Sequence, residues 1–349
     1  MPESGDVPLA PLTTLGLGGP ARRYVRAETA DHLVAAIAAA DAAGEPVLVL
    51  GGGSNLVVAD AGFDGLVVHA ATRGIDVDLG EGVARLRVAA GEPWSEVVDR
   101  AVALGLSGVE CLAGIPGSTG ATPMQNVGAY GAEVSDVIAR VRAWDREAGE
   151  LVAIERGACG FAYRSSRFRG SDRFAIVEVE LELRRDPLAA PIRYAELARA
   201  LGAAEGDRLP LAAVRDAVVR LRRGKGMVVD AADPDSRSAG SFFVNPLVDG
   251  AQLRAIEAAS DVPVPRFATS SPDRFKVPAA WLIERAGFVK GWGDGKVRIS
   301  TKHALALVHL GGGSTRELLD VARAVRAGVR ARFGVDLDAE PVLIGCSLA

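Results

Sequence analysis
The segment Gly114-Ile115-Pro116-Gly117-Ser118-Thr119-Gly120-Ala121-Thr122-Pro123-Met124-Gln125-Asn126-Val127-Gly128-Ala129-Tyr130-Gly131 admits neither a regular helix nor a central strand. Its five glycines loosen the backbone and its two prolines remove amide donors. It also carries Met124, Gln125, Asn126 and Tyr130, larger side chains than a flexible linker holds, so a rigid, irregular loop is expected. Backbone N–H groups of such a loop are left to point at a ligand, and a phosphate chain is the usual one. A purely structural Ω-loop is the other reading.

A second glycine cluster lies upstream. Val47 to Leu50 has the composition of a short buried strand and runs into Gly51-Gly52-Gly53-Ser54-Asn55-Leu56. A Rossmann fingerprint requires a helix directly after the glycines. Here Leu56-Val57-Val58, Asp60-Ala61-Gly62 and Leu66-Val67-Val68 spell strand, turn, strand. A phosphate-binding loop inside a mixed α+β domain fits better.

Around these loops the patterns alternate between helix and strand. Thr13 to Pro20 is a turn-rich lead-in. Helices are expected from the Thr29 cap to Gly44, from Pro93 to Gly105, from Pro210 to Gly224 and from Pro278 to Ala286. Leu86 to Ala89 suits a strand, as do the regions near Val297 and from Leu305 to Leu310. Val137 to Trp144 and Leu151 to Ile154 suit a hairpin. In Ala175 to Arg184, Val177, Val179, Leu181 and Leu183 alternate with Glu178, Glu180 and Glu182, the period of a half-buried strand. Asp230 to Ser238 is polar and is expected to be a linker. Ser314-Thr315-Arg316-Glu317 is a capping box that opens a long helix to Phe333. The preceding Gly311-Gly312-Gly313 is either a phosphate site at that helix N-terminus or, the favoured reading, a plain turn before a cap.

The totals are those of an ordinary soluble globular chain: 349 residues, 49% hydrophobic and 24% charged, with room for one large or two to three smaller domains. A net charge of −4 argues against a wholly basic nucleic-acid binder. Cys111, Cys159 and Cys346 lack C-x-x-C spacing and give neither a disulfide framework nor a zinc knuckle, which fits a reducing cytoplasm. The start, Met1-Pro2-Glu3-Ser4-Gly5-Asp6, lacks the features of a signal peptide, and no apolar run is long enough to span a bilayer. The four histidines, His32, His69, His303 and His309, have no metal-ligand spacing, and Ser241 is not in a G-x-S-x-G elbow. Metal-dependent and serine-hydrolase chemistry are therefore disfavoured, and no metal is expected.

Three further segments stand out: Gly160 to Phe168 with Tyr163-Arg164, Ala239-Gly240-Ser241-Phe242-Phe243-Val244-Asn245-Pro246, and Leu337 to Val342 with Glu340. Singly, each is better explained by the plainer reading: a surface arginine, a turn serine and a solvated carboxylate. In this order, and with both glycine loops, the chain resembles the UDP-N-acetylenolpyruvoylglucosamine reductases, the MurB family of peptidoglycan synthesis. The resemblance runs from Thr14-Leu15-Gly16-Leu17-Gly18-Gly19-Pro20-Ala21 to Glu340.

That resemblance implies an α+β chain with a two-part FAD-binding domain of the vanillyl-alcohol-oxidase type and a C-terminal α+β substrate-binding domain. The expected division is 1–75 (completed by 335–349), 76–224 and 230–334. FAD would be held non-covalently, its pyrophosphate cradled by Gly51, Gly52, Gly53, Ser54, Asn55 and Leu56 with Gly117, Ser118 and Gly120. Gln125 and Asn126 would lie near the flavin. The implied reaction reduces UDP-N-acetylglucosamine enolpyruvate with NADPH: hydride passes from flavin N5 to C3, and Ser241 protonates C2. Arg164 matches the stabilising arginine and Glu340 its acidic partner. Tyr194 resembles the tyrosine that closes over the substrate in the larger of two subtypes, and Lys225 and Asn245 match residues at the substrate's diphosphate. Val244 stands where many relatives have lysine, and the segment from Lys225 to Ser241 is a few residues longer than in some. A monomer in the cytoplasm is expected, with no nucleic-acid or membrane partner. The rival readings are another FAD-dependent oxidoreductase of the same fold, such as a sugar or alcohol oxidase, and a non-catalytic nucleotide-binding module. Many such oxidases hold FAD covalently through histidine, which neither glycine loop contains.

Overall fold
The computed structural model describes residues 4–269 and 271–349, so the N-terminal residues 1–3, part of the start judged to lack a leader, lie outside the described residues. The chain divides into two compact units, one formed by residues 4–7, 21–53 and 64–224, the other by Pro8–Pro20, Ser54–Phe63 and Lys225–Ala349. The division falls within the first glycine loop, between Gly53 and Ser54.

The first unit holds two sheets. In the smaller, the strands run Ser4–Pro8, Pro20–Ala27, Phe63–Ala70, Val47–Leu50, the last two parallel. Helix Ala30–Ala42 covers one face, burying Leu33, Ile37 and Ala40 against Val25, Ala27, Leu66 and Val68. Thr29 caps it by accepting from the His32 amide at 3.1 Å. The larger sheet is antiparallel, in the order Glu150–Glu155, Ile138–Asp145, Phe174–Arg185, Val83–Ala89, Ile75–Leu79, with Leu106–Ser107 paired to the end of the central strand. Its inner side chains, Leu86, Val88, Val141, Val179 and Leu181, join Trp94, Val97 and Val98 of helix Trp94–Ala103 and Val214 and Val218 of helix Leu211–Gly224 in one core. On the outer face Asp76, Arg87, Glu180, Arg140 and Glu155 stand directly opposite one another across five strands. Exposed ion pairs contribute under about 1 kcal/mol each. The register is held instead by the inner face, since a one-residue slip would turn Leu86, Val88, Val179 and Leu181 out of the core.

The second unit is built on strands Ser238–Ser241, Ala306–His309 and Val297–Ile299, adjacent in that order. Helices Ala279–Arg285 and Thr315–Phe333 pack Leu282, Ile283, Leu318, Ala322, Val325 and Val329 into the core with Phe242, Phe243 and Ile299. A small sheet of Leu247–Asp249, Arg274–Lys276 and Phe267–Ala268 carries helix Gly250–Ala258. Val342–Ile344 pairs in parallel with Leu56–Val58.

The expected helices and strands are present, and the long helix runs from Thr315 to Phe333 behind its Ser314–Glu317 capping box. Helices Ala195–Leu201 and Gly250–Ala258 and several strands, among them Pro20–Ala27, Ile75–Leu79 and Val342–Ile344, had no clear signature. In Pro20–Ala27 the inward residues Ala21, Val25 and Ala27 are small and separated by Arg22, Arg23 and Arg26, so the period of two is masked by charge. The polar segment from Asp230 to Ser238 is not a linker. Asp235 is only 4% exposed, and its carboxylate accepts from the Thr301 amide at 3.0 Å and from the Thr301 hydroxyl, while Lys302 Nζ reaches Asp233 at 2.7 Å. Buried hydrogen bonding, invisible in composition, makes it part of the second unit. Among the described residues no helix is long and apolar enough to cross a membrane, no disulfide forms, and no cluster of side chains suits a metal ion.

Candidate active site
In the first unit the two glycine loops meet backbone to backbone. A β-carbon on Gly52 would stand 2.6 Å from Cα of Gly117, so only glycine lets the chains pass this closely. Gly117 itself is left-handed at φ 117°. The Gly52 amide donates to Ser118 Oγ at 3.0 Å, which leaves that hydroxyl its own O–H to donate elsewhere. Gly52 is exposed, whereas Gly53 and Ser118 are buried. Not every amide in the loop is offered to a ligand. Thr119 N–H and Gly120 N–H donate to the carbonyls of Glu92 and Ala90, both at 2.8 Å. Gly120 thus serves close packing against Ala90. The cradle from Gly51 to Gly53 and from Gly117 to Gly120 carries no carboxylate and presents glycine backbone and hydroxyls, a donor set that suits a dinucleotide pyrophosphate such as that of FAD.

Downstream, Asn126 and Tyr130 are both left-handed, each at φ 49°, and Asn126 is 1% exposed. Gln125 beside it is half-buried. Arg164, at φ 50°, occupies the second position of a two-residue turn closed by reciprocal amide–carbonyl bonds between Ala162 and Ser165 at 3.0 and 3.1 Å. Its guanidinium donates to Gly128 O at 2.9 Å and lies 5.4 Å from the Tyr163 ring centroid. Tyr194, 44% exposed, begins helix Ala195–Leu201 and stands edge-on to Tyr130, with centroids 5.4 Å apart. Burial pushes the Tyr130 hydroxyl up to about 12 and raises that of Tyr194, so both are neutral hydrogen-bonding groups at neutral pH. Burial also draws Arg222 down to about 10, with Tyr130 among the groups it senses, yet it stays cationic at neutral pH.

In the second unit Ser241 and Glu340, distant in sequence, come onto neighbouring extended segments. Phe243 bridges Ala339 antiparallel, Glu340 N–H donates to Phe242 O at 2.9 Å, and Val244 N–H donates to Asp338 O at 3.0 Å. Phe242 N–H in turn donates to Leu305 O at 2.7 Å, so Ser241 sits at the end of a strand held on both sides. Asn55 joins the same segment: Val342 N–H donates to Asn55 O at 2.9 Å, and Asn55 Nδ2 donates to Glu340 O at 3.4 Å. Ser54 and Leu56 flank Asn55, and Leu56 pairs with Val342. Asn245 spends its Oδ1 on the Ala279 amide at 2.8 Å, capping the helix that begins there, so its substrate role would fall to the other end of the amide. Lys225 is half-buried just past helix Leu211–Gly224.

The N-terminus of helix Thr315–Phe333 is already filled. Both carboxylate oxygens of Asp60 accept from it, from Thr315 N–H at 2.7 Å and Arg316 N–H at 3.0 Å. Gly311 to Gly313 therefore lead into a cap, the favoured reading of that segment. Local sequence did not point to Asp60, which lies 255 residues away from the amide it binds.

The glycine-lined, donor-rich cradle of the first unit, in an α+β chain, points to a flavin-dependent oxidoreductase. Residues 21–155 match the FAD binding domain family, and residues 233–344 match the family described as UDP-N-acetylenolpyruvoylglucosamine reductase, C-terminal domain. The UDP-N-acetylenolpyruvoylglucosamine reductase of Thermobifida fusca is 52% identical, over 98% of each chain. That of Salinispora arenicola is 53% identical over 97% of this chain and 95% of its own. The crystal structure of the reductase from Thermus caldophilus superposes with a TM-score of 0.66 at 25% identity, over 98% of each chain. The chain belongs to the UDP-N-acetylenolpyruvoylglucosamine reductase family.

Proposed function
We propose that this chain reduces UDP-N-acetylglucosamine enolpyruvate to UDP-N-acetylmuramate in peptidoglycan precursor synthesis, with FAD and NADPH as its cofactors. The observation that supports the residue assignments is the pairing of the Ser241 and Glu340 segments through Phe242 and Phe243, which brings two stretches distant in sequence onto neighbouring backbone. Bound FAD supplies the hydride that it has received from NADPH. The remaining chemistry belongs to the protein. Hydride addition at C3 of the enolpyruvyl ether leaves negative charge at C2, conjugated with the substrate carboxylate. Arg164 stabilises that charge as it develops. Its guanidinium is anchored at Gly128 O.

Ser241 gives its proton to C2, completing the saturated lactyl ether. A serine hydroxyl is a weak acid, so it acts here only with neighbouring groups stabilising the alkoxide until solvent restores the proton. Glu340 is the acidic partner in this assignment. Gly51 to Leu56, Gly117 and Ser118 hold the pyrophosphate of FAD, Gly120 supporting their loop by packing on Ala90, with Gln125 and Asn126 near its ring. Tyr194, Lys225 and Asn245 receive the substrate's uridine diphosphate.

We place the enzyme in the cytoplasm as a monomer. The division into 1–75 with 335–349, 76–224 and 230–334 rests on the resemblance and on the pairing of Val342–Ile344 with Leu56–Val58, while the cores cut across it: Ala175 and Val177 pack with Val25 to Ala70, and Leu15, Leu17 and Val57 pack with Ala239 to Leu337. The test is Ser241→Ala. Flavin binding and its reduction by NADPH should be preserved, while reoxidation by the enolpyruvyl substrate slows about 10²–10⁴-fold, the range for loss of a general acid. Reoxidation at the wild-type rate would remove Ser241 from the chemistry.

A further inference from the structure
Arg164 is held in a backbone conformation that a β-carbon makes unfavourable by roughly 1–2 kcal/mol, and such residues persist only where their surroundings over-determine them. The restraints come from one direction. Asn126 Nδ2 donates to Ala162 O, the carbonyl that closes the Arg164 turn, at 3.2 Å. The same amide group donates to Glu133 Oε2 at 2.7 Å, and Asn126 Oδ1 accepts from Ser135 N–H at 3.1 Å. Carboxylate and carbonyl on one side and an N–H on the other permit a single orientation of this amide, and both of its donors are spent. Glu133 is fixed as well: its side chain accepts a backbone amide in the capping box of the turn Val134–Asp136, and its Cγ and Arg164 Nη1 both lie beside the place a β-carbon on Gly128 would take, at 3.0 and 3.2 Å from that position. Ser166, beyond the turn, bonds Met124 O at 2.6 Å, and Arg169 holds the Arg164 carbonyl.

We propose that Asn126 and Glu133 are positioning residues for Arg164, fixing its turn so that the guanidinium stands ready for the charge at C2; this rests on the role given to Arg164 above. Asn126 then serves the flavin site through its backbone, and serves catalysis through its side chain.

The test is a double-mutant cycle on the FAD-loaded enzyme, following flavin absorbance as NADPH bleaches it and the enolpyruvyl substrate restores it. Asn126→Asp removes both donors. Recolouring should be slowed about 10²-fold relative to bleaching, the scale of a small misplacement of a catalytic group. Arg164→Ala alone should slow recolouring by about 10²–10³-fold. Adding Asn126→Asp to Arg164→Ala should then cost nothing further, because the guanidinium it positions is gone. Effects that multiply, an equal loss in both half-reactions, or no slowing with Asn126→Asp would each overturn the proposal. Normal recolouring in Arg164→Ala would instead overturn the role of Arg164 itself. Should Asn126→Asp lose its flavin, Glu133→Gln runs the same cycle with an expected slowing of about tenfold, since it keeps an acceptor for Asn126 but not the charge. Flavin loss in both variants would make the network a fold element and overturn the proposal.

Discussion
A methyl group at Gly52 has nowhere to go, because it points at the backbone of Gly117 rather than at a movable side chain. Gly52→Ala should therefore part the two loops, costing about 1–3 kcal/mol of overpacking in the first unit. The more specific consequence is optical: the purified variant should be colourless, or regain flavin only at raised FAD concentration. A variant that copurifies with stoichiometric flavin would show that the cradle lies elsewhere. The left-handed residues Asn126, Tyr130 and Arg164 show the same economy at larger side chains. Each stands where glycine would fold more easily, so the side chain is kept for what it does. Asn126 also marks where sequence is silent. An asparagine in a glycine-rich loop looks like a ligand, and nothing local shows that Glu133, Ser135 and Ala162 have claimed its amide.

Elements carried by local pattern were legible before any coordinates. Strand Phe174–Arg185 declares itself by period two, and helix Thr315–Phe333 by its capping box. What was not legible is pairing across the chain: Val342–Ile344 on Leu56–Val58, and Asp60 at the start of the long helix. That helix end depends on a carboxylate that satisfies two orphan amides and complements the dipole. Asp60→Ala should lower stability by about 1–3 kcal/mol, seen as a melting temperature several degrees lower, with flavin spectrum and substrate affinity retained. An unchanged melting temperature would mean that solvent replaces the carboxylate at no cost.

Across the whole molecule, sequence gave away the catalytic candidates but not their setting. Arg164, Ser241 and Glu340 belong to segments that fold into different units, and the bonds that fix each are to residues such as Gly128 and Phe242 whose side chains carry no chemistry. The polar run around Asp235 shows the same limit, being structure where composition suggested a tether. Burial works against ionisation of Asp235, but the Thr301 hydroxyl and amide, Ser300 and Lys302 outweigh it and hold the carboxyl below its usual range. A depressed carboxyl contributes stability above its unfolded value, about 3.9, that is lost as pH falls through the lower folded value. Asp235→Asn should therefore melt below the wild type at neutral pH, with the gap closing as pH drops below about 4. A gap independent of pH would mean that shape, not charge, is what Asp235 provides.

The most direct measurement is the visible spectrum of the purified protein through one catalytic cycle without oxygen. A yellow protein should bleach on addition of NADPH and recover its colour when UDP-N-acetylglucosamine enolpyruvate is added, with UDP-N-acetylmuramate formed in equal amount. A protein that bleaches but is recoloured only by oxygen would contradict the assigned substrate, and one that never holds flavin would contradict the site itself.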